Sequence, residues 1–369
     1  MKIYSEKIPF DPAHFPHFPL NPKTEFAQIT MENRRGMRVC LLNYGCVVHR
    51  LEIPDLQGKM HNLVLSLKDP QEYFDNPAYL GALIGRTAGR IGDGSFHLGK
   101  KLYPLAKNYG DTSAHGGAVG FDKHFFDYEL LEEKERVSAV FSRFSPDGEE
   151  GYPGNLRAEI RFTLSDQNEL SIDMQASSDA DTLVNFTNHS YFNLHGNTEK
   201  EILSHSLQLN GAHFAPILEN GVVSGQIESV ENSPFDFREP KSIGRDLSCD
   251  HPQLEAGSGY DHFFFFDPQG SEGPVLSLRE KSTGLSLDLF TDCEGAVLYS
   301  QNYPIPGLRS SEEQPAIRRG LAIEPSAPPI GKNGEFLPFS LLRKDEAYRR
   351  HIRYRFRAAP PEEPFQKGT

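Results

Sequence analysis

Leu156-Arg157-Ala158-Glu159-Ile160-Arg161-Phe162-Thr163-Leu164 carries an apolar side chain at every second position. Strict alternation of this kind suits a strand with one buried and one wetted face, because successive side chains point to opposite sides of the pleat. Leu170-Ser171-Ile172-Asp173-Met174-Gln175-Ala176 repeats the pattern across the polar turn Asp166-Gln167-Asn168. The two segments therefore read as an antiparallel hairpin. Working outward, Leu285–Leu289 and Ile352–Phe356 alternate in the same way, and Arg38–Leu42, Val47–Ile53 and Leu63–Ser66 are short apolar-rich runs. Turns such as Gly92-Asp93-Gly94-Ser95 separate them. A turn around Gln71-Glu72-Tyr73-Phe74 is the best helical candidate. The expected fold is all-β, most simply a large antiparallel sandwich.

Length and composition bound what such a chain can do. It has 369 residues, a net charge of -13 and no tryptophan. The acidic balance and the lack of a basic patch argue against nucleic acid and against an anionic membrane surface. Cys40, Cys46, Cys249 and Cys293 form no CxxC pair and no zinc-ligand spacing, so reduced thiols in a cytoplasmic protein are expected. No apolar run approaches a membrane span, and Met1–Lys7 lacks the apolar core of a signal peptide. Residues 1–23, with His14 and His17 among prolines, read as an extended N-terminal arm. Residues 24–358 read as one domain, since the strand spacing continues without a linker, and 359–369 as a C-terminal tail.

Against this background Leu183-Val184-Asn185-Phe186-Thr187-Asn188-His189-Ser190-Tyr191-Phe192-Asn193-Leu194 stands out. Read as one alternating strand, it puts Phe186, Asn188 and Ser190 on one face and Thr187, His189 and Tyr191 on the other. An imidazole beside a phenol can protonate and hold a small polyhydroxylated ligand. A buried histidine satisfied by a carbonyl is an equally good reading of that histidine taken alone. Four further stretches accompany it: Gly85-Arg86-Thr87-Ala88-Gly89-Arg90-Ile91, His115-Gly116-Gly117 with Gly120-Phe121-Asp122-Lys123, Asp147-Gly148-Glu149-Glu150-Gly151-Tyr152-Pro153-Gly154, and the late pair Gly259-Tyr260-Asp261-His262 and Glu324-Pro325.

Each is weak singly; in this order, from about Asn43 to Phe356, they resemble the aldose 1-epimerase (galactose mutarotase) family. The resemblance implies a β-supersandwich that interconverts the α and β anomers of a free aldohexose without metal or organic cofactor. By the same resemblance His189 falls on the general acid to the ring oxygen and Glu324 on the general base at the anomeric hydroxyl. His115, Asp261, Arg90 and Tyr191 fall on sugar-binding positions. The sequence leaves open which of Arg86 and Arg90 faces the sugar, and also the oligomeric state. Gly89, Phe126, Val297 and the stretch after Pro325 depart from the usual pattern, which bears on the choice of sugar more than on the reaction.

The chemistry agrees with that assignment. Opening a hemiacetal removes one proton at O1 and delivers one at O5, and a carboxylate with an imidazole has suitable strengths for this. Ordinary values of about 4.3 and 6.5 would confine the productive form to mildly acidic pH, so carboxylates such as Asp261 are expected to raise His189. With no tryptophan, Phe121, Phe125, Phe126 or Tyr191 is expected to face the apolar side of the sugar. A hexose-6-phosphate 1-epimerase and a non-catalytic sugar-binding protein are the alternatives. A glycosidase using Asp261 and Glu324 ranks last.

Overall fold

The computed structural model describes residues 1–11, 24–196, 199–267, 273–308 and 316–359. The expected hairpin is its centre: Leu156–Ser165 pairs antiparallel with Glu169–Ser178, Leu164 opposite Leu170, around a turn in which Asn168 takes φ 57°. Asparagine tolerates this left-handed conformation better than most residues, so the polar turn closes without a glycine. Leu156, Ile160, Phe162, Leu164, Ile172 and Met174 are buried, while Arg157 and Glu159 on the other face are exposed. Alternation in sequence has become burial in space.

The hairpin lies within a nine-stranded antiparallel sheet. Its strand order is Asp127–Glu132, Arg136–Ser145, Leu156–Ser165, Glu169–Ser178, Ala347–Ala358, Leu285–Thr291, Leu276–Arg279, Ser206–Leu209 and Lys241–Ser242. A six-stranded sheet runs Tyr191–Phe192, Leu321–Ser326, Gly295–Tyr299, Asp261–Phe265, His213–Ala215, Glu228–Ser229. Phe192 meets Tyr354 with ring centroids 5.1 Å apart, and the Tyr354 hydroxyl donates to the Ile323 carbonyl, so the two sheets pack face to face. That consumes one face of the strand Leu321–Ser326. Its other face, with Ala322 and Glu324, is left for a site.

A five-stranded sheet, Lys2–Lys7, Ala27–Glu32, Arg38–Leu42, Val47–Pro54 and Met60–Asn62, extends the same core, which runs from Ile3 to Phe356. The expected N-terminal arm therefore begins with an edge strand. Residues 12–23, with His14 and His17, and 360–369 lie outside the described residues. The 3-10 helix Pro70–Asp75 includes the helical candidate and is held by a capping box between Asp69 and Glu72. A short α-helix, Pro252–Ala256, was not expected. Among the described residues no helix is long and apolar enough to cross a membrane.

One expectation is corrected here. The stretch 183–194 is not one continuous strand but part of three two-residue pieces, Thr182–Leu183, Thr187–Asn188 and Tyr191–Phe192. They pair in turn with Leu341–Leu342, Leu83–Ile84 and Leu321–Ser326. The chain changes partner every few residues, and side chains complete the joints: Asn188 donates to the Gly81 carbonyl at 2.7 Å and accepts from Ser190. His189 is fixed by its own backbone, donating to Ala82 and accepting from Gly81.

Arg86 belongs to this framework. Its guanidinium is buried and donates to the carbonyls of Ser145, Pro146, Pro153 and Gly154 and to the hydroxyls of Ser145 and Thr182. Burial lowers its pKa to about 10, so it stays charged at neutral pH. Replacing it with methionine would strand several buried carbonyls at about 1–3 kcal/mol each before relaxation. The expected result for Arg86→Met is a loss of about 3 kcal/mol or more in urea unfolding. An unchanged midpoint would contradict the structural assignment.

Candidate functional site

The strand register builds the site. Tyr191 lies opposite Ala322, and two residues away on each chain the side chains of His189 and Glu324 meet at 3.4 Å. On its other side Glu324 pairs with Val297, and Val297 with Phe263. His189, Glu324, Val297 and Phe263 thus form one row across the sheet. The neighbouring row is Tyr191, Ala322, Tyr299 and Asp261. Period two puts both rows on the same face, and apart from Ala322 every member lines one cavity of about 610 Å³.

All six residues expected at the site line this cavity: Arg90, His115, His189, Tyr191, Asp261 and Glu324. His189 Nε2 is 3.4 Å from Glu324 Oε1, with the two residues 4% and 3% exposed. Arg90 reaches Asp261 at 3.2 Å and the Gly221 carbonyl at 3.3 Å, so Arg90 faces the cavity and Arg86 does not. The Tyr109 ring covers the Arg90 guanidinium at 4.9 Å. Tyr191 packs its ring 4.8 Å from that of His189 and donates its hydroxyl to the Ala78 carbonyl.

His115 arrives from the glycine turn. Its ring centroid is 5.4 Å from that of His189, and its Nδ1 is buried without a hydrogen-bond partner among the described residues. Gly116 beside it has φ 90°, and a Cβ there would lie 1.8 Å from the Gly85 carbonyl oxygen. No other residue fits that close approach. The acidic loop buttresses the turn: Glu150 accepts from the Ala118 amide at 2.8 Å, while Glu149 holds Arg143 and Ser145. The loop's carboxylates support the site without entering it.

Burial dominates the electrostatics. It pushes the Glu324 carboxyl up to about 8, Asp261 adding to the rise and Arg90 opposing it. It pushes the His189 imidazole down to about 4 and that of His115 well below the ordinary range. The expectation that Asp261 raises His189 is therefore corrected: Asp261 acts on Glu324 instead, and desolvation decides His189. The aromatic expectation is corrected in part. Phe121 and Phe126 are core residues, and Phe125 joins a separate cluster with Phe10, Phe26, Tyr44 and Phe74. The cavity's rings are Tyr79, Tyr109, Tyr191, Phe263, Tyr299 and Tyr303.

Tyr79, Tyr109, Phe263, Tyr299 and Tyr303 were missed. Tyr299 was within reach, since it alternates with Val297 on a strand whose partner carries Glu324. Tyr79 stacks on His189 with ring centroids 6.0 Å apart from a loop position with φ 55°. No periodicity or motif marks a residue placed that way.

Comparison with known proteins places this geometry. The profile described as Aldose 1-epimerase matches residues 27–355. The chain belongs to the aldose 1-epimerase family. It is 33% identical to a protein named galactose mutarotase from Bos taurus over 88% of this chain and 92% of the relative. It is also 33% identical to an aldose 1-epimerase from Escherichia coli, covering 89% and 94%. Among solved structures, a galactose 1-epimerase from Lactobacillus acidophilus NCFM superposes with a TM-score of 0.82 at 29% identity, over 96% of this chain and 98% of that one. The segment matched to the aldose 1-epimerase family contains all six residues expected at the site.

The electrostatics generate a direct test. With glutamate carboxyls labelled with carbon-13, one resonance should titrate near 8 and vanish in Glu324→Gln. No glutamate carboxyl titrating above 6 would contradict the burial of Glu324.

Proposed function

We propose that this aldose 1-epimerase interconverts the α and β anomers of a free aldohexose, with Glu324 and His189 moving the two protons. The observation that carries the assignment is the 3.4 Å approach of His189 Nε2 to Glu324 Oε1 inside a sugar-sized cavity. Glu324 takes the O1 proton as the C1–O5 bond breaks, and His189 delivers a proton to O5. The open-chain aldehyde turns about C1–C2. Reclosure on the other face of C1 returns both protons, with the two residues exchanging roles.

Proton counting is consistent with both residues being buried. Between about 4 and about 8 the pair holds one proton in total. Burial favours leaving it on Glu324. Transfer across the 3.4 Å contact yields carboxylate and imidazolium, the form needed to open the ring, without any change in proton number. Arg90, which lowers the Glu324 pKa, favours that form. Below about 4 the pair gains a second proton and loses its base; above about 8 it loses its only proton and with it the acid.

A neutral sugar fits better than a phosphorylated one. Among the described residues the cationic side chains lining the cavity are Arg90, engaged with Asp261, and Lys123, which donates to the Ala118 carbonyl at 2.7 Å. Two cations, each already engaged, make a weak cradle for a dianion. The thiols Cys40, Cys46, Cys249 and Cys293 are free, which suits a reducing, cytoplasmic setting.

Anomer-exchange NMR with galactose and glucose tests the assignment. Glu324→Gln keeps shape but cannot accept a proton, and should lose about 10²-fold or more in kcat with a much smaller change in KM. His189→Asn should behave alike, whereas His115→Asn should damage both constants. Near-normal turnover in Glu324→Gln would remove the base and turn attention to Asp261. In the unmodified enzyme kcat/KM should hold across the one-proton window and fall below about 4 and above about 8. A profile still rising through pH 9 would contradict the pairing.

A further inference from the structure

The row His189, Glu324, Val297, Phe263 maps onto the order of atoms in a pyranose. This inference rests on the proposed roles of the acid and the base. In the ring the sequence of atoms is O5, C1 bearing O1, then C2. With O5 at His189 and O1 at Glu324, the substituent on C2 falls on the far side of Glu324 from His189. That side is occupied by Val297, directly opposite Glu324 in the register, and beyond it by Phe263.

Val297 and Phe263 belong to an apolar wall completed by Ile217 and Val223, all four lining the cavity. Much of the wall's own backbone is already engaged. Ile217 exchanges both of its peptide hydrogen bonds with the Gln253 side chain, Leu218 pairs with Val222, and Phe263 and Val297 are paired with neighbouring strands. The Gly221 carbonyl accepts from Arg90. A hydroxyl pressed against this wall would leave water without gaining a partner there. The polar pair Arg90 and Asp261 sits one row away, where it can serve hydroxyls further round the ring.

We infer that the cavity is built for an aldose with hydrogen rather than hydroxyl at C2, a 2-deoxyaldose, and that Val297 sets this preference. The chemistry of the row is indifferent to C2, since neither proton transfer involves it. Only binding and the fit of the transition state discriminate.

The test compares 2-deoxy-D-galactose with D-galactose, and 2-deoxy-D-glucose with D-glucose, by anomer-exchange NMR on the intact enzyme. Each rate is divided by the spontaneous rate of the same sugar, because 2-deoxy sugars mutarotate at their own pace in water. The expected result is a normalised kcat/KM for the 2-deoxy sugar higher than that of its parent, by up to about 10-fold. Val297→Gln, which adds an amide to the wall, should shift the ratio toward the 2-hydroxy sugar. A normalised 2-deoxy to 2-hydroxy ratio at or below one in the unmodified enzyme, or a ratio unmoved by Val297→Gln, would overturn the inference. Turnover of galactose or glucose at all reports separately on the epimerase reading, so a failed ratio with robust turnover condemns only the wall. No turnover of any of the four sugars would bring down both.

Discussion

The structure depends on one constraint: the antiparallel register across the strand Leu321–Ser326. Its alternate residues Leu321 and Ile323 enter the core that packs against the nine-stranded sheet, and Ala322 and Glu324 face the opposite way. A shift of one residue would send Glu324 into the hydrophobic core and an isoleucine into the cavity. The apolar contacts among Phe192, Ile323, Tyr354 and Phe356 therefore hold a carboxyl group in place as firmly as they hold the fold together. Stability and chemistry share one strand.

Burial at that position has two consequences that pull against one another. It raises Glu324 to about 8, which on its own would make a carboxyl a poor base at neutral pH. It also lowers His189 to about 4, and the two groups lie within 3.4 Å. Opposite displacements in a contacting pair leave the total proton count fixed over a wide range, while the position of that proton stays movable. A reaction that must give one proton and take another, and then do the reverse, needs a pair of this kind more than it needs two groups at their ordinary strengths.

Much of this was legible in the residues, for reasons that can be stated. Alternation in Leu156–Leu164 and Leu170–Ala176 reports burial on one face, and that signal survives any tertiary arrangement that keeps one face inside. The six expected residues were reached through the order of motifs that carry them, each weak alone, and the resemblance of that order to the aldose 1-epimerase family. What could not be read depended on contacts distant in sequence. The stretch 183–194 looks like one strand because its residues favour extended backbone, yet its pieces pair with three different segments. Likewise Asp261 was expected to act on His189, but which carboxylate a charge acts on follows from sheet order: Asp261 sits on Glu324's side of the row. Tyr79 reaches His189 from a loop, where periodicity carries no information.

The most direct measurement is a crystal structure of Glu324→Gln with an aldose bound, since the substitution preserves the shape while slowing turnover. The result expected is a pyranose with O1 within hydrogen-bond distance of residue 324, O5 within reach of His189 Nε2, and C2 turned toward Val297. A sugar whose anomeric oxygen rests on Asp261, or whose ring oxygen points away from His189, would contradict the row as the reacting unit.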